Sequence, residues 1–287
     1  MSTAEAEGIR GLFDRPVFIV STPRSGSTLL FETLEKAPAL YTTGRESHQL
    51  IESIPELFPP MRGWDSNRLS AVDATPECAE LIAGSFYRAI ADRDGRPAAG
   101  RVRMLEKTPK NALRVPFFDA IWPDSFFIYL YRDVRETLAS MMEAWVSGGF
   151  RTYPRLPGWS NYPWSLLLIP GWRDLIGQPL PVVVARQWAT TTNVLLDDLD
   201  SLPRERVKPV TNADFLTKPQ ATTEALASSL GLEWDRKLSS DLPLSKTTVS
   251  RPNPDKWRRL EREIEEVMPI VAEADERARA FVEQSRG

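Results

Sequence analysis

Short apolar runs alternate with longer segments of helical periodicity along most of the chain. The continuous runs Val17–Val20 and Phe126–Tyr131 are typical of strands that are buried on both faces. Residues 103–106 and 207–210 are shorter runs that we also expect to form strands. Because strands that alternate with helices build parallel sheets with helical crossovers, the pattern predicts an α/β fold.

The segments between these runs have the apolar spacing of helices. Thr75 is a favourable N-cap and Pro76 a favourable first residue for a helix predicted over residues 76–92. Pro269 lies inside the last helical segment, and we expect it to interrupt that helix. The other predicted helices cover residues 28–36, a segment from about 111, and residues 134–146, 182–200 and 256–281.

The alternation of strands and helices breaks over residues 148–181. Six prolines in this segment exclude a long helix, and three tryptophans and two tyrosines make it strongly aromatic. Long irregular insertions in compact domains are commonly functional loops. We therefore expect one domain over residues 1–287 in which this insertion is a substrate loop or lid. The alternative is a segment that only covers the core.

A single cysteine and a single histidine narrow the possible chemistry of the 287-residue chain. Cys78 alone cannot build a disulfide framework, and a Cys/His zinc site needs three or four such ligands. Any catalytic triad of the Ser-His-Asp type would have to use His48. The acid–base chemistry of an enzyme with this composition is therefore expected to fall to carboxylates or lysine, and no metal is expected.

The charge of the chain indicates which partners to expect. The sum of 36 basic and 39 acidic residues is −3, without a basic block, which argues against a nucleic-acid partner. No apolar stretch reaches the roughly 20 residues that span a bilayer. The acidic and polar start of the chain lacks the pattern of a secretory signal, and so we expect a cytoplasmic protein. The oligomeric state stays open.

A polar loop, PRSGST, separates the first predicted strand from the first predicted helix. Backbone N–H groups and the dipole at such a helix start attract an anion. Arg24 adds a charge, Gly26 allows close approach of the backbone, and hydroxyl groups come from Ser25, Ser27 and Thr28. The loop predicts a phosphate or sulfate nest, although a serine-rich helix cap has a similar sequence. It differs from the Walker A loop GxxxxGK[ST].

A second pair of candidate anion ligands follows the strand Phe126–Tyr131. Arg132 ends this strand, and Ser140 lies eight residues later on the predicted helix. Because ligands of parallel sheets bind at the carboxyl ends of the strands, Arg132 and the PRSGST loop can share one ligand. Arg132 can hold a phosphate as a fork, with Ser140 as a neutral donor. A plain helix start with Asp133 as its N-cap explains the same residues.

The two segments together resemble those of PAPS-dependent sulfotransferases, PAPS being 3′-phosphoadenosine 5′-phosphosulfate. STPRSGSTLL is similar to the 5′-phosphosulfate loop of the family, in the PRSG form of tyrosylprotein, Golgi-type and many bacterial members, and YLYRDVRETLAS is similar to its 3′-phosphate motif. LEKTPKN at 105–111 resembles a segment of carbohydrate sulfotransferases. VSRPNPDKW at 249–257 resembles the late loop that closes over the 3′-phosphate, which implies a role for Arg251.

The resemblance extends from about residue 17 to residue 257 and has several implications. It implies a P-loop-like three-layer α/β fold with a central parallel sheet flanked by helices. It also implies PAPS as the donor, its desulfated form PAP as the product, and no metal. The nest would hold the 5′-phosphosulfate, and Arg132 and Ser140 would hold the 3′-phosphate.

Sulfuryl transfer by in-line displacement needs a base for the acceptor hydroxyl and a cation for the developing charge. The cytosolic members of the family use a histidine two residues after a lysine, and Pro109 occupies that position here. The resemblance implies that Lys107 is the cation and that Glu46 or Glu106 is the base, with Glu46 favoured. His48 is a third candidate base, and a structural salt bridge is the ordinary alternative for either glutamate.

The sequence thus predicts a sulfotransferase that modifies a hydroxyl of a small-molecule, lipid-like or carbohydrate acceptor. A protein tyrosine is less favoured, because a net charge of −3 gives no obvious basic groove for an acidic peptide. One alternative is a P-loop kinase that uses ATP and Mg²⁺, although the Gly-Lys-Ser/Thr of its loop is missing. The other is a catalytically silent nucleotide-binding homologue.

Overall fold

The computed structural model describes residues 8–160, 162–240, 242–246 and 255–284. The prediction for Arg251 lies outside these described residues. Within them, no helix is long and apolar enough to cross a membrane.

The predicted parallel sheet is confirmed. The strands are β1 (Val17–Val20), β2 (Leu40–Tyr41), β3 (Arg103–Lys107), β4 (Phe126–Tyr131), β5 (Arg151–Tyr153), β6 (Trp164–Ser165) and β7 (Val207–Thr211). Five of them pair in parallel in the order β2-β3-β1-β4-β7, whereas β5 and β6 form a small antiparallel pair. Sequence reasoning missed β2, since two residues carry no readable periodicity.

Helices connect the strands and cover the sheet. Within the described residues the α-helices are α1 (Ser27–Leu34), α2 (His48–Glu52), α3 (Pro76–Ala89), α4 (Val115–Ile121), α5 (Val134–Ser147), α6 (Leu180–Asp200), α7 (Asn212–Thr217), α8 (Pro219–Ser229) and α9 (Glu261–Gln284). Thr75 caps α3 as predicted, since its side chain accepts a hydrogen bond from the Cys78 N–H. Asp133 caps α5 in the same way.

The two faces of the sheet pack into separate apolar clusters. In β1, Phe18 and Val20 belong to the cluster built with α3, α4 and α6, whereas Val17 and Ile19 face the cluster built with α1 and α8. All four side chains are at most 1% exposed. This burial on both faces explains the continuous apolar run and confirms the central sheet flanked by helices.

The expected interruption of the last helix at Pro269 is wrong. Helix α9 runs through this residue without a break. An internal proline costs about 3 kcal/mol through its lost hydrogen bond and its steric clash. Burial of Ile264, Val267 and Val271 in the apolar cluster that also contains α5 and α6 offsets that cost.

The aromatic insertion over residues 148–181 packs into the core with α5. The rings of Trp145, Trp159, Trp164 and Trp172 lie 4.8–6.3 Å apart in mostly edge-to-face pairs. Trp164 and Trp172 are at most 1% exposed. This part of the insertion therefore covers the apolar core. Other parts of it line a cavity at one edge of the sheet.

Candidate active site

The carboxyl ends of β1, β3, β4 and β7 meet at a cavity of about 1050 Å³. The residues that follow each of these strands reach it: Pro23 after β1, Thr108 after β3, Arg132 after β4 and Asn212 after β7. Its volume lies at the upper end of the range that ligand sites usually have. The sheet therefore places the sequence-predicted loop and Arg132 around one space, as expected for a parallel α/β fold.

The loop between β1 and α1 has the backbone of an anion nest. Arg24 and Gly26 both have positive φ, +68° and +93°, and α1 begins at Ser27. The cavity is lined by Arg24, Gly26, Ser27 and Thr28. Ser25 is fully buried instead, and its Oγ donates a hydrogen bond to the Thr22 carbonyl at 2.9 Å. The Ser25 side chain thus supports the loop.

Gly26 and Asn212 are in close contact across the mouth of the nest. A Cβ atom on Gly26 would lie 2.4 Å from Asn212 Nδ2, and so a side chain here would require the Asn212 amide to move. Asn212 is 6% exposed and lines the cavity. Sequence reasoning missed Asn212, although its position two residues after the predicted strand 207–210 was a usable signal.

The second predicted anion site joins the first through Arg24. Arg132 Nη1 donates to the Arg24 carbonyl at 3.0 Å, and Arg24 Nε donates to Ser140 Oγ at 3.3 Å. Burial and then the positive charge of Arg132 lower the pKa of Arg24. Glu136 pairs with Arg132 at 2.8 Å. Two adjacent guanidinium groups beside helix α1 make this end of the cavity suited to a multiply charged anion.

Lys107 links the nest to the favoured candidate base. Its Nζ atom donates to Glu46 Oε1 at 2.8 Å and to Thr28 Oγ1 at 3.1 Å. Lys107 is 4% exposed, whereas the Glu46 side chain is 35% exposed and lines the cavity. The predicted cation and base therefore lie together beside the predicted anion site.

Glu106, the second candidate base, points into the protein interior. It is 2% exposed and accepts hydrogen bonds from Ser47 Oγ, Thr108 Oγ1 and Asn111 Nδ2. Burial raises the pKa of Glu106 despite these hydrogen bonds. The same strand carries Lys107 toward the nest, so the alternation of β3 separates the two side chains. This geometry favours Glu46 over Glu106 as the group that an acceptor can reach.

His48, the third candidate base, lies next to Glu46 at the cavity wall. Its Nδ1 atom is 3.9 Å from Glu46 Oε2. Burial and the charge of Lys110 lower the pKa of His48 below its ordinary 6.5. The imidazole is therefore neutral near pH 7 and can accept a proton. Its contact with Glu46 is longer than the contact between Lys107 and Glu46.

A buried charged cluster that sequence reasoning missed lies beyond His48. Lys110 Nζ contacts both Glu52 oxygens, at 2.7 and 2.9 Å, and Tyr153 Oη at 3.2 Å. Arg114 Nη2 donates to Glu52 Oε1 at 2.9 Å. Burial lowers the pKa of Lys110 to about 8 despite its pairing with Glu52. Lys110 belongs to the segment LEKTPKN, which was the available signal.

The end of the late loop also reaches the cavity. Lys256 and Trp257 line it, and Lys256 forms an ion pair with Glu143 of α5. These are the last two residues of the sequence-predicted segment 249–257, whose earlier part lies outside the described residues. Among the described residues, no group of three or more His, Cys, Asp and Glu is arranged to hold a metal ion.

The fold and the position of its site at the strand ends define an α/β protein of the P-loop-like type. Residues 16–236 match the protein family described as the Sulfotransferase family. The chain belongs to this family, which confirms the family that the sequence motifs predicted.

Two relatives of known name are similar to parts of the chain. A candidate protein-tyrosine sulfotransferase of Caenorhabditis briggsae is 28% identical over 131 residues, which are 46% of this chain and 44% of that protein. Protein-tyrosine sulfotransferase 2 of Gallus gallus is 22% identical over 266 residues, which are 90% of this chain and 61% of that protein. The chain thus spans less than two thirds of the length of either relative.

One solved structure shares the fold over nearly the whole chain. The sulfotransferase from Alicyclobacillus acidocaldarius superposes with a TM-score of 0.50 at 17% identity, covering 94% of this chain and 96% of that chain. At this identity the likeness shows the fold alone.

Proposed function

We propose that the protein transfers a sulfuryl group from PAPS to a hydroxyl of a small-molecule, lipid-like or carbohydrate acceptor, with Glu46 as the base. The observation that carries the proposal is the Lys107–Glu46 pair at 2.8 Å, with Lys107 also bonded to Thr28 of the nest. A cation on the donor side and a carboxylate on the open side are what such a transfer needs.

The residues around the nest fit a doubly phosphorylated nucleotide donor. Arg24, Ser27 and Thr28 would hold the 5′-phosphosulfate, and Arg132 with Ser140 would hold the 3′-phosphate. The side-chain-free position at Gly26 lets backbone N–H groups approach the anion. When bound, PAPS supplies an activated sulfuryl group whose leaving group is PAP.

The chain's own residues would then do three things. Glu46 accepts the proton of the acceptor hydroxyl while the acceptor oxygen forms its bond to sulfur. The bond from sulfur to the bridging phosphate oxygen breaks in the same displacement, and Lys107 stabilises the charge that develops there. The nest and Arg132 keep the donor in line with the acceptor, which is the main source of catalysis in transfers of this kind.

Two features weigh against the kinase alternative. Ser27 occupies the place of the Walker A lysine, and the lysine that meets the nest comes from β3. A thermal-shift comparison separates the two nucleotides, because a ligand of the native state raises the melting temperature. PAP should stabilise the protein strongly, whereas a larger shift with ADP and Mg²⁺ would favour the kinase.

Transfer of radiolabelled sulfate from PAPS to hydroxyl acceptors tests activity itself. Labelled product is expected, and PAP binding without any transfer would instead favour the silent homologue. The cytoplasmic location and the absence of a nucleic-acid partner stay predictions from the sequence.

A further inference from the structure

Unusual backbone conformations are concentrated around the cavity. Arg15, Arg24, Trp64 and Leu166 are the non-glycine residues with positive φ in the described part of the chain, and the last three line the cavity. Bulky side chains rarely adopt this conformation, and such outliers cluster where function requires them. Arg24 belongs to the nest, which leaves Trp64 and Leu166 to be explained.

Hydrogen bonds to the main chain of both residues hold them in place. The Trp64 N–H donates to the Pro59 carbonyl at 2.8 Å, and its own carbonyl accepts from Trp172 Nε1 at 2.8 Å. The Leu166 N–H donates to the Phe150 carbonyl at 3.0 Å. These hydrogen bonds fix the φ angles of +58° at Trp64 and +64° at Leu166. Both side chains are only partly buried and line the cavity.

Further apolar groups complete this wall. Phe58, Pro60 and Leu167 line the same cavity. The Trp64 ring also meets the Tyr153 ring edge-to-face, with centroids 5.8 Å apart. Trp64 belongs to the segment before α3 and Leu166 to the aromatic insertion, so two distant parts of the chain contribute apolar side chains to the same cavity.

Several polar groups beside this wall are hydrogen-bonded to one another. Lys110 has three N–H donors, and the two Glu52 oxygens and Tyr153 Oη occupy them. Tyr153 Oη also accepts from Asn67 Nδ2, whose Oδ1 accepts from the Leu168 N–H. A sugar that packed against these apolar side chains would lose water from its hydroxyl groups, and this already paired cluster would offer few hydrogen bonds in return. An apolar carbon body has no such hydroxyl groups to dehydrate when it packs there.

We propose that Trp64 and Leu166 determine acceptor specificity and select a hydroxyl carried on an apolar, ring-sized carbon body, such as an alicyclic alcohol or a phenol. The inference rests on the proposed function, in which the acceptor hydroxyl meets Glu46, another residue that lines this cavity. It narrows the acceptor by excluding carbohydrates. The strained backbone at both positions directs apolar side chains to the place where the acceptor body lies.

Calorimetric titration of the full chain with 2-naphthol and with D-glucose, each with and without PAP, tests this inference. The two probes are similar in size and differ in polarity. We expect 2-naphthol to bind at least about tenfold more tightly than D-glucose, the scale on which apolar pockets discriminate. Equal affinities, or tighter binding of D-glucose, would overturn the assignment. Affinity for PAP is measured separately, so a failed donor site is distinguished from a wrong acceptor class.

Variants at Leu166 test whether this side chain causes the preference for 2-naphthol over D-glucose. Leu166→Ala should weaken 2-naphthol binding about tenfold and leave PAP binding unchanged, whereas Leu166→Met should retain most of the affinity. Leu81→Ala is the matched control, since Leu81 is 58% exposed on α3. Asparagine adopts positive φ more readily than alanine, so Leu166→Asn is used instead if the Leu166→Ala protein folds poorly. Unchanged 2-naphthol affinity in the folded Leu166 variant would remove this residue from the acceptor site.

Discussion

Two glutamates that sequence reasoning treated as competing bases occupy opposite environments. Glu46 lines the cavity and pairs with Lys107, whereas Glu106 is buried and saturated by hydroxyl and amide donors. Neither burial nor partners can be read from a single motif, because they depend on the side of β3 that Glu106 faces and on where the loop before α2 places Glu46. The structure thus places Glu46 at the cavity wall and Glu106 in the interior beneath it.

Glu106→Gln should mainly destabilise the protein. The variant presents an amide N–H to a site built from donors, so a buried donor such as the Asn111 amide loses its acceptor. The expected loss in free energy of unfolding is about 1–3 kcal/mol. Urea unfolding measures it, with the exposed Glu56→Gln as control. A variant of normal stability whose turnover falls by orders of magnitude would instead make Glu106 the base.

Arg132→Ala should weaken PAP binding. Hydrogen bonds to charged groups contribute about 1.5–3 kcal/mol each, which corresponds to a roughly tenfold to hundredfold loss of affinity. Calorimetric titration with PAP gives the value, and Arg132→Lys should recover only part of it, because the fork geometry is lost. The exposed Arg88→Ala serves as control. Unchanged affinity in Arg132→Ala would remove Arg132 from the site.

Among the elements, those with long periodic patterns were predicted well. Strand β4 was predicted at its exact bounds, and α3 and α5 begin at the predicted residues. The short strand β2 was missed, and the helical pattern through Pro269 was wrongly divided. The first error arises because two residues carry no readable periodicity, and the second because tertiary burial outweighs the local preference of proline.

The positive φ of Gly26 in the loop before α1 predicts the effect of a substitution at this position. Gly26→Ala should lower stability by about 1–2 kcal/mol through its positive φ and should also weaken PAP binding, because the new Cβ displaces the Asn212 side chain beside the nest. Gly95→Ala is the matched control, with φ of +81° and open space around it. It should show the stability loss alone, measured by thermal unfolding beside PAP titration. Normal PAP affinity in Gly26→Ala would contradict the nest.

Glu52 ties α2 to the segment after β3, and this link should depend on pH. Burial raises the pKa of Glu52, but the charges of Lys110 and Arg114 outweigh burial and leave the pKa below its ordinary 4.5. The stabilisation is therefore complete above pH 4.5 and is lost as the pH falls through the lowered pKa.

Glu52→Gln should accordingly cost about 3–5 kcal/mol at neutral pH, because two buried cations lose their partner. The difference from wild type should shrink in acid, where Glu52 is protonated in both folded and unfolded states. Urea unfolding across this pH range measures the effect, and Glu56→Gln is the control. A difference that does not change with pH would contradict the assigned role of the carboxylate charge.

At the scale of the whole molecule, the site assembles from segments that are far apart in sequence. The nest and Arg132 were predictable, because the rule that parallel strands end at one edge brings such residues together, and Lys107 followed from the resemblance to the sulfotransferase family. The wall of Trp64 and Leu166 and the Glu52–Lys110 cluster were not, since they depend on how the aromatic insertion packs. Sequence motifs therefore predicted the residues of the proposed donor end of the cavity, and the structure was needed to propose residues for the acceptor end.

The most direct test of the account is single-turnover transfer from PAPS to a hydroxyl acceptor by wild type and by Glu46→Gln, with product followed by mass spectrometry. Wild type should add one sulfo group to the acceptor. Glu46→Gln should retain PAP affinity and transfer about 10²–10⁴-fold more slowly, the usual contribution of a general base. Sulfation by Glu46→Gln at the wild-type rate would contradict the account.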